Sequence, residues 1–370
     1  LKAISSYSDI FNGENESNTN AIYSFIEEER NNTTLSLGGR YELIRIRSEE
    51  KFSFDNNQET NNFKIGYPLF YAGILHKINN KHSFRAYLGQ GIRFPSIAEM
   101  SSSTNVHGGT YIYPNLSLKP ESGWSYELAY HKTGKIKNLD IDFDIAYFIM
   151  QYDNMMEISF AQWGDQYDIE HAYGLGFKTV NVGKTQINGT EVEIDAYCDI
   201  NKDWKAKLSI GYTYMDPTSL TPESVYAETD NLGISEPITY NNSSSDTTIL
   251  KYRYQHLLKI DTELAYKKIN LGIDIKYNDY MRNIDSLFVT DLVNIGVPEL
   301  DQPPAFPGII ESREVNKQGD LMIDLSIGLK ISSIAKLTFV INNATNNEIH
   351  SRPMNILPPR TYSLKLNVTI

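Results

Sequence analysis

Leu139-Asp-Ile-Asp-Phe-Asp-Ile-Ala-Tyr-Phe-Ile149 alternates along its whole length. Leu139, Ile141, Phe143, Ile145, Tyr147 and Ile149 are apolar, and Asp140, Asp142, Asp144, Ala146 and Phe148 stand between them. Side chains alternate faces along a strand, so this segment reads as a strand with one apolar face and one wet one. Three aspartates on one face need water, and a helical period would scatter them. Further along, Val192, Ile194, Ala196 and Cys198 stand against Glu191, Glu193, Asp195 and Tyr197, and Trp204, Ala206, Leu208 and Ile210 against Lys205, Lys207 and Ser209. The pattern recurs at Leu258–Leu264, Leu271–Tyr277, Leu321–Leu329 and Tyr362–Val368. On this reading Cys198 faces outward and is inert.

The connections between these strands alternate in length. From residue 21 the links run Asn31 to Thr33, 50 to 62, Asn79 to Lys81, 94 to 122, Thr133 to Asn138 and about 157 to 187. They continue through Ile200 to Asp203, 217 to 255, Lys267 to Ile269, 283 to 318, Ser332 to Ile334 and 344 to 359. Tight turns therefore fall on one side and long loops on the other. That is the layout of an up-and-down outer-membrane barrel, with short periplasmic turns and long extracellular loops. Thirteen strands follow residue 21, and there is a fourteenth if residues Lys2–Ser8 form one. A soluble β-sandwich or β-helix also alternates, but it has no reason to sort its loops by length, and a link such as 217 to 255 is anomalous in a compact domain. Tyrosines near strand ends, from a total of 25, suit an interfacial girdle.

Composition removes other classes. One cysteine cannot form an internal disulfide, a Cys-x-x-Cys redox site or a cysteine-rich zinc site. A net charge of −12 argues against nucleic acid as a partner. No apolar run approaches the ~18 residues of a spanning helix. There is no His-Glu-x-x-His, no Gly-x-Ser-x-Gly and no phosphate-binding loop, and Gly174-Leu-Gly-Phe-Lys-Thr179 lacks the last glycine of a dinucleotide motif. The expectation is a chain that does no covalent chemistry and carries no cofactor or metal. Residues 1–10 contain no basic region leading into an apolar core, and Leu1 is not a methionine, which leads us to expect a mature product or a piece of something longer.

Residues 88–121 carry two boxes. Arg93, Pro95, Ser96 and Glu99 lie in the first, and Asn115, Leu118, Lys119, Pro120 and Glu121 in the second. They resemble the Gly-x-Arg-Ala-Pro-Ser-x-x-Glu and Asn-Pro-x-Leu-Lys-Pro-Glu boxes at the two ends of one extracellular loop in TonB-dependent outer-membrane receptors, with Phe94 in place of Ala and Leu116 in place of Pro. Leu37-Gly-Gly-Arg-Tyr41, Asn181-Val-Gly-Lys184 with Gly189-Thr-Glu-Val-Glu193, and Ile341-Asn-Asn343 with Pro359-Arg-Thr361 resemble three further segments of that family. Their order and spacing extend the resemblance over nearly the whole chain.

The resemblance implies a barrel of about 22 strands surrounding an N-terminal plug, with energy supplied by the inner-membrane TonB complex. The expected fold is all-β: a transmembrane antiparallel up-and-down β-barrel domain over residues 1–370, with about 14 of those strands present and the plug and first strands outside the chain. The expected place is the outer membrane of a Gram-negative bacterium, in contact with its lipid. The implied ligand is a small-molecule metal chelate, an iron-siderophore or haem complex. The competing reading is a complete 14-stranded passive channel, which explains strand count and length but not the boxes.

Physically the boxes make sense as loop anchors. Pro95 and Pro120 fix φ and withhold a donor where strands leave and re-enter the sheet. Arg93 and Lys119, beside Glu99 and Glu121, are expected to pin the loop stem through charge-assisted hydrogen bonds. The candidate ligand residues are the loop aromatics and histidines His107, Tyr111, Tyr113, Trp163, Tyr167, His171 and Tyr173, with Tyr226, Tyr240, Tyr252 and Tyr254 behind them, because aromatic loops suit flat amphipathic ligands. His107 falls where haem receptors of the resembled family place a histidine between the same two boxes.

Overall fold

The computed structural model describes residues 2–5, 15–51, 58–106, 110–164, 174–231, 234–289, 306, 308–353 and 355–369. Strands β1 (Lys2–Ser5), β2 (Asn15–Arg30), β3 (Thr33–Lys51), β4 (Gln58–Asn79) and β5 (His82–Arg93) lead to a short helix, α1 (Ile97–Ser101). Next come β6 (Thr104–Val106), β7 (Thr110–Tyr113), β8 (Glu121–Ile136), β9 (Leu139–Asp153), β10 (Met156–Gln162) and β11 (Leu175–Asn181). They are followed by β12 (Thr185–Asp199), β13 (Trp204–Ser219), β14 (Val225–Asn231), β15 (Ile234–Thr239), β16 (His256–Tyr266) and β17 (Ile269–Asn278). After a 3₁₀ turn at Ser286–Val289 come α2 (Ile309–Val315), β18 (Asp320–Lys330), β19 (Ala335–Asn342), β20 (His350–Arg352), β21 (Asn355–Ile356) and β22 (Thr361–Val368).

Fourteen of these strands form one sheet in the order β1-β2-β3-β4-β5-β8-β9-β12-β13-β16-β17-β18-β19-β22. Each paired neighbour is antiparallel and next in the chain once the loop elements are set aside, so the wall is a meander. Among the described residues the outer edges of β1 and β22 have no strand partner. The register carries the alternation across the wall. Asp144 faces Glu193, Asp195 faces Ser209, Ser209 faces Asp261, Asp261 faces Asp274 and Asp274 faces Asp324, a polar inner row. The outer face is apolar, and Leu128, Tyr147, Leu271, Ile273 and Leu364 are exposed there. At the short-turn side Trp204 lies 4.5 Å from Tyr266, and Phe84 lies 5.0 Å from Tyr130, an aromatic girdle at one rim.

Charge on the inner face is paired locally. Arg85 donates to Asp144 through both terminal nitrogens, at 2.8 and 3.1 Å, and through Nε to Glu127 at 2.7 Å. His131 lies 3.2 Å from Asp142. Glycines mark close approaches: the Phe148 ring covers Gly189 of the neighbouring strand, and the Tyr71 ring covers Gly38. A ring laid over a glycine fills a site that has no side chain of its own.

Short turns close one rim with left-handed backbone at Asn31, Lys137 and Lys267. Asn79 and Asn201 accept from the backbone two and three residues on, at 2.8–3.1 Å, which is the Asx-turn chemistry of those residues. The long connections at the other rim are folded rather than open. One holds α1, β6 and β7, the next holds β10 and β11, and a third holds the hairpin β14–β15. Strand β7 pairs in parallel with β11, which joins two different loops into the four-stranded sheet β10-β11-β7-β6.

Candidate functional site in the loop layer

The loop layer is built outward from the two boxes. At the end of β5 the chain turns through buried Pro95 into α1, where Ser96 is the N-cap. The Glu99 backbone N–H donates to Ser96 Oγ at 3.2 Å, and the Ser96 N–H donates to Glu99 Oε2 at 2.8 Å, a reciprocal capping box. Arg93 Nη1 lies 2.6 Å from Glu99 Oε1, and its other terminal nitrogen lies 3.6 Å from Glu121 Oε2 at the start of β8. Burial opposes ionisation of Glu99, but the donors from Ser96 and Arg93 outweigh it and hold the carboxyl below its usual range. Glu121 also accepts from the Met156 N–H at 2.8 Å, tying in the next loop.

The second box is held through backbone mimicry. Asn181 accepts from the Lys119 N–H at 2.8 Å and donates to the Lys119 carbonyl at 2.9 Å and the Asn154 carbonyl at 2.8 Å. Asn115 donates to the Thr179 carbonyl at 2.8 Å. The expected ion pair of Lys119 is corrected here: among the described residues its ammonium has no carboxylate partner, and the residue is anchored by its backbone. Pro120 is half-buried just before β8. Beneath the boxes Met100, Leu118 and Met156 pack on Ile44 and Ile46 of the inner wall, which seats the layer in the mouth of the sheet.

The candidate aromatics separate into groups. Tyr111 and Tyr113 of β7 meet edge to face at 4.9 Å, and Tyr111 shares a 2.5 Å hydrogen bond with Ser103. Trp163 donates to the Ser159 carbonyl at 3.3 Å, with the Lys178 ammonium 5.4 Å from its ring. His107, Tyr167, His171 and Tyr173 lie outside the described residues. Tyr240 is wholly buried, so its place is in the core of the layer rather than on a ligand-facing surface.

A buried polar network lies beside Tyr240. Lys251 Nζ is 2.7 Å from Asp285 Oδ1 and donates to Ser243 Oγ at 2.9 Å, and both charged side chains are almost fully enclosed. Asp285 also accepts from Ser159 Oγ at 3.1 Å, from the Phe160 N–H at 2.9 Å and from the Tyr252 hydroxyl. Tyr240 accepts from the Lys251 N–H at 2.6 Å and donates to Glu157 Oε2 at 3.3 Å. Three loops thus converge on one desolvated ion pair. Burial pulls the Lys251 ammonium down, but Asp285, together with Tyr226 and Glu157, more than offsets it, so the group stays charged. Burial pushes Glu157 up, and Arg253 and Lys251 only partly counter it. Burial, with the negative charge of Asp285, likewise raises the Tyr252 hydroxyl.

Two cavities of about 310 and 320 Å³ flank the β20–β21 hairpin, and Arg352 and Pro353 line both. The second is walled by Ile112, Ile158 and Phe177 of the loop sheet and by Phe288 and Tyr252. Phe288 belongs to an aromatic cluster in which Phe160 lies 4.8 Å from Phe288 and 4.7 Å from Phe177.

The family model "TonB dependent receptor-like, beta-barrel" matches residues 3–346. The chain belongs to the TonB-dependent receptor β-barrel family. Among solved structures, this receptor barrel is similar to the siderophore receptor PiuA of Acinetobacter baumannii, at 15% identity and a TM-score of 0.62 over 96% of this chain and 43% of that one. It is similar to the ferric-catecholate import receptor Fiu of E. coli K12, at 16% identity and 0.60 over 96% and 45%. It is also similar to the Serratia marcescens hemophore receptor HasR, at 15% and 0.58 over 97% and 52%. The chain therefore spans about half the length of the receptors it matches. No curated protein matches it.

The polar centre of this TonB-dependent receptor barrel had no local sequence signal. Lys251 and Asp285 sit in separate long loops, where isolated charges read as solvated. The only hint is compositional: Tyr240, Tyr252 and Tyr254 gather round Lys251.

Proposed function

We propose that the chain is the C-terminal part of the barrel of an outer-membrane active-transport receptor that binds a scarce nutrient as an iron-siderophore or haem complex. Import is driven by the TonB complex, acting through a plug supplied outside these 370 residues. The observation that carries this reading is the family match over residues 3–346, joined to a folded, aromatic-rich loop layer over a polar inner wall. Two of the similar structures are siderophore or ferric-catecholate receptors and a third is a hemophore receptor, which supports an iron chelate as cargo. The remaining strands of the larger receptors would close the free edges of β1 and β22. A passive 14-stranded channel finds no support in the family match.

The test is uptake of radio-iron from the ferric 2,3-dihydroxybenzoate complex, and from haem, by cells with and without the full-length receptor. Receptor-dependent uptake of either iron source that stops when a protonophore collapses the inner-membrane gradient is the expected result. Uptake that continues unchanged after collapse would identify a passive channel and overturn the proposal.

A further inference from the structure

We infer that the cavity under the β20–β21 hairpin is a binding subsite for an amphipathic anion, with Arg352 as the residue that selects for negative charge. The inference rests on the transport reading only in taking that anion as cargo, since binding at the cavity needs no energy source.

The cavity has the volume of a small-molecule site, at about 320 Å³. Ile112, Ile158, Phe177 and Phe288 give it apolar walls suited to a flat ring. No carboxylate lines it, and the charged residues on its lining are Lys178 and Arg352. Arg352 is exposed at the rim and, among the described residues, forms no ion pair with a carboxylate; its guanidinium lies 5.8 Å from the centre of the Tyr252 ring, and it also borders the neighbouring cavity that Asp279, Asp320 and Glu348 line. A guanidinium over an aromatic face keeps its fork of N–H donors free at the edge, where it matches two oxygens of one anionic group.

The ring beneath it is fixed. The Tyr252 hydroxyl donates to buried Asp285, which the Lys251 ammonium and the Phe160 N–H hold in turn. Tyr254 steadies the hairpin from the other side, its hydroxyl 3.4 Å from the His350 and Ser351 carbonyls. The buried network thus fixes the ring against which Arg352 lies at the border of the cavity. Arg352 would touch the ligand, and Tyr252 is a positioning residue.

The experiment is equilibrium binding to the purified full-length receptor in detergent, using ferric 2,3-dihydroxybenzoate as an anionic aromatic probe and the cationic ferric complex of deferoxamine as a contrast. Arg352→Gln is expected to weaken the anionic probe by about tenfold or more and to leave the cationic one unchanged or better bound. Arg352→Lys should recover part of the loss, because it restores charge but not the fork. Tyr252→Phe should reduce the ratio of anionic to cationic affinity by less than Arg352→Gln does. Ile158→Trp fills the cavity from a wall whose side chain is half exposed, and should abolish anion binding while the protease pattern of the loops stays as in the wild type. Wild-type receptor that binds the anion no better than the cation, equal loss of both probes in Arg352→Gln, or full binding by Ile158→Trp would each overturn the subsite. Charge-selective binding together with uptake that survives collapse of the gradient would leave the subsite standing and remove the transport reading alone.

Discussion

Lys251 and Asp285 hold opposite charges 2.7 Å apart with almost no access to water. Desolvating two ions costs several kcal/mol, and the pair recovers it through attraction and through the added donors on Asp285. Removing one partner strands the other. Lys251→Met is therefore expected to destabilise the loop layer by about 3–5 kcal/mol, while Lys251→Met with Asp285→Asn should lose clearly less. Hydrogen exchange at the amides of Phe160 and Tyr252 would measure it; equal losses in single and double variants would refute the account. Glu157 gives a pH test. Its carboxyl is raised by burial, so its stabilising contribution is complete below the usual carboxylate range and is lost as pH rises through the raised value. Glu157→Gln should therefore protect the loops better than wild type at about pH 8 and show no advantage at about pH 4. None of this could be read from sequence, because the pair is 34 positions apart and its burial is created by other loops.

At the scale of the element, Ser96-Ile-Ala-Glu99 carries a helix-start signal in plain sequence, and α1 begins there. The helix is one and a half turns long, so it depends on its cap more than a long helix would. Ser96→Ala is expected to cost about 1 kcal/mol, read as faster exchange at Glu99 and Met100 with the wall strands unaffected. The barrel strands were legible because period two survives across whole segments such as 139–149. β10, β11 and β7 were not, since they are short, β10 and β11 show no clean period-two alternation of burial, and the pairing of β7 with β11 joins residues of different loops. Gly189 belongs to this scale as well. A methyl there would meet the Phe148 ring and the Tyr214 carbonyl, so Gly189→Ala should cost about 1–3 kcal/mol, and adding Phe148→Ala should relieve the part due to the ring.

Across the whole molecule, the sorting of short and long links gave the architecture, because an up-and-down wall that crosses a membrane has tight turns at one rim and long loops at the other. The inner and outer faces make opposite demands. Ile273→Arg places a cation at mid-strand on the apolar outer face and should cost about 2–4 kcal/mol in refolding of the full barrel into lipid vesicles. Asp274→Asn, one residue away on the wet face, should change stability far less, and comparable losses at the two positions would contradict the assignment of faces. The position of the loops over the mouth was less legible, since it depends on apolar contacts such as Met100 and Leu118 against Ile44 and Ile46.

The parallel pairing of β7 with β11 also bears on the order of assembly. A parallel pair cannot zip from a tight turn, and these two strands are separated in the chain by β8, β9 and β10. Their partners come into range only once β8 and β9 stand side by side in the wall. The loop layer is accordingly expected to form last and, since its contacts span the greatest chain distances, most slowly, so a pulse of protease during refolding should cut it after the wall has become resistant.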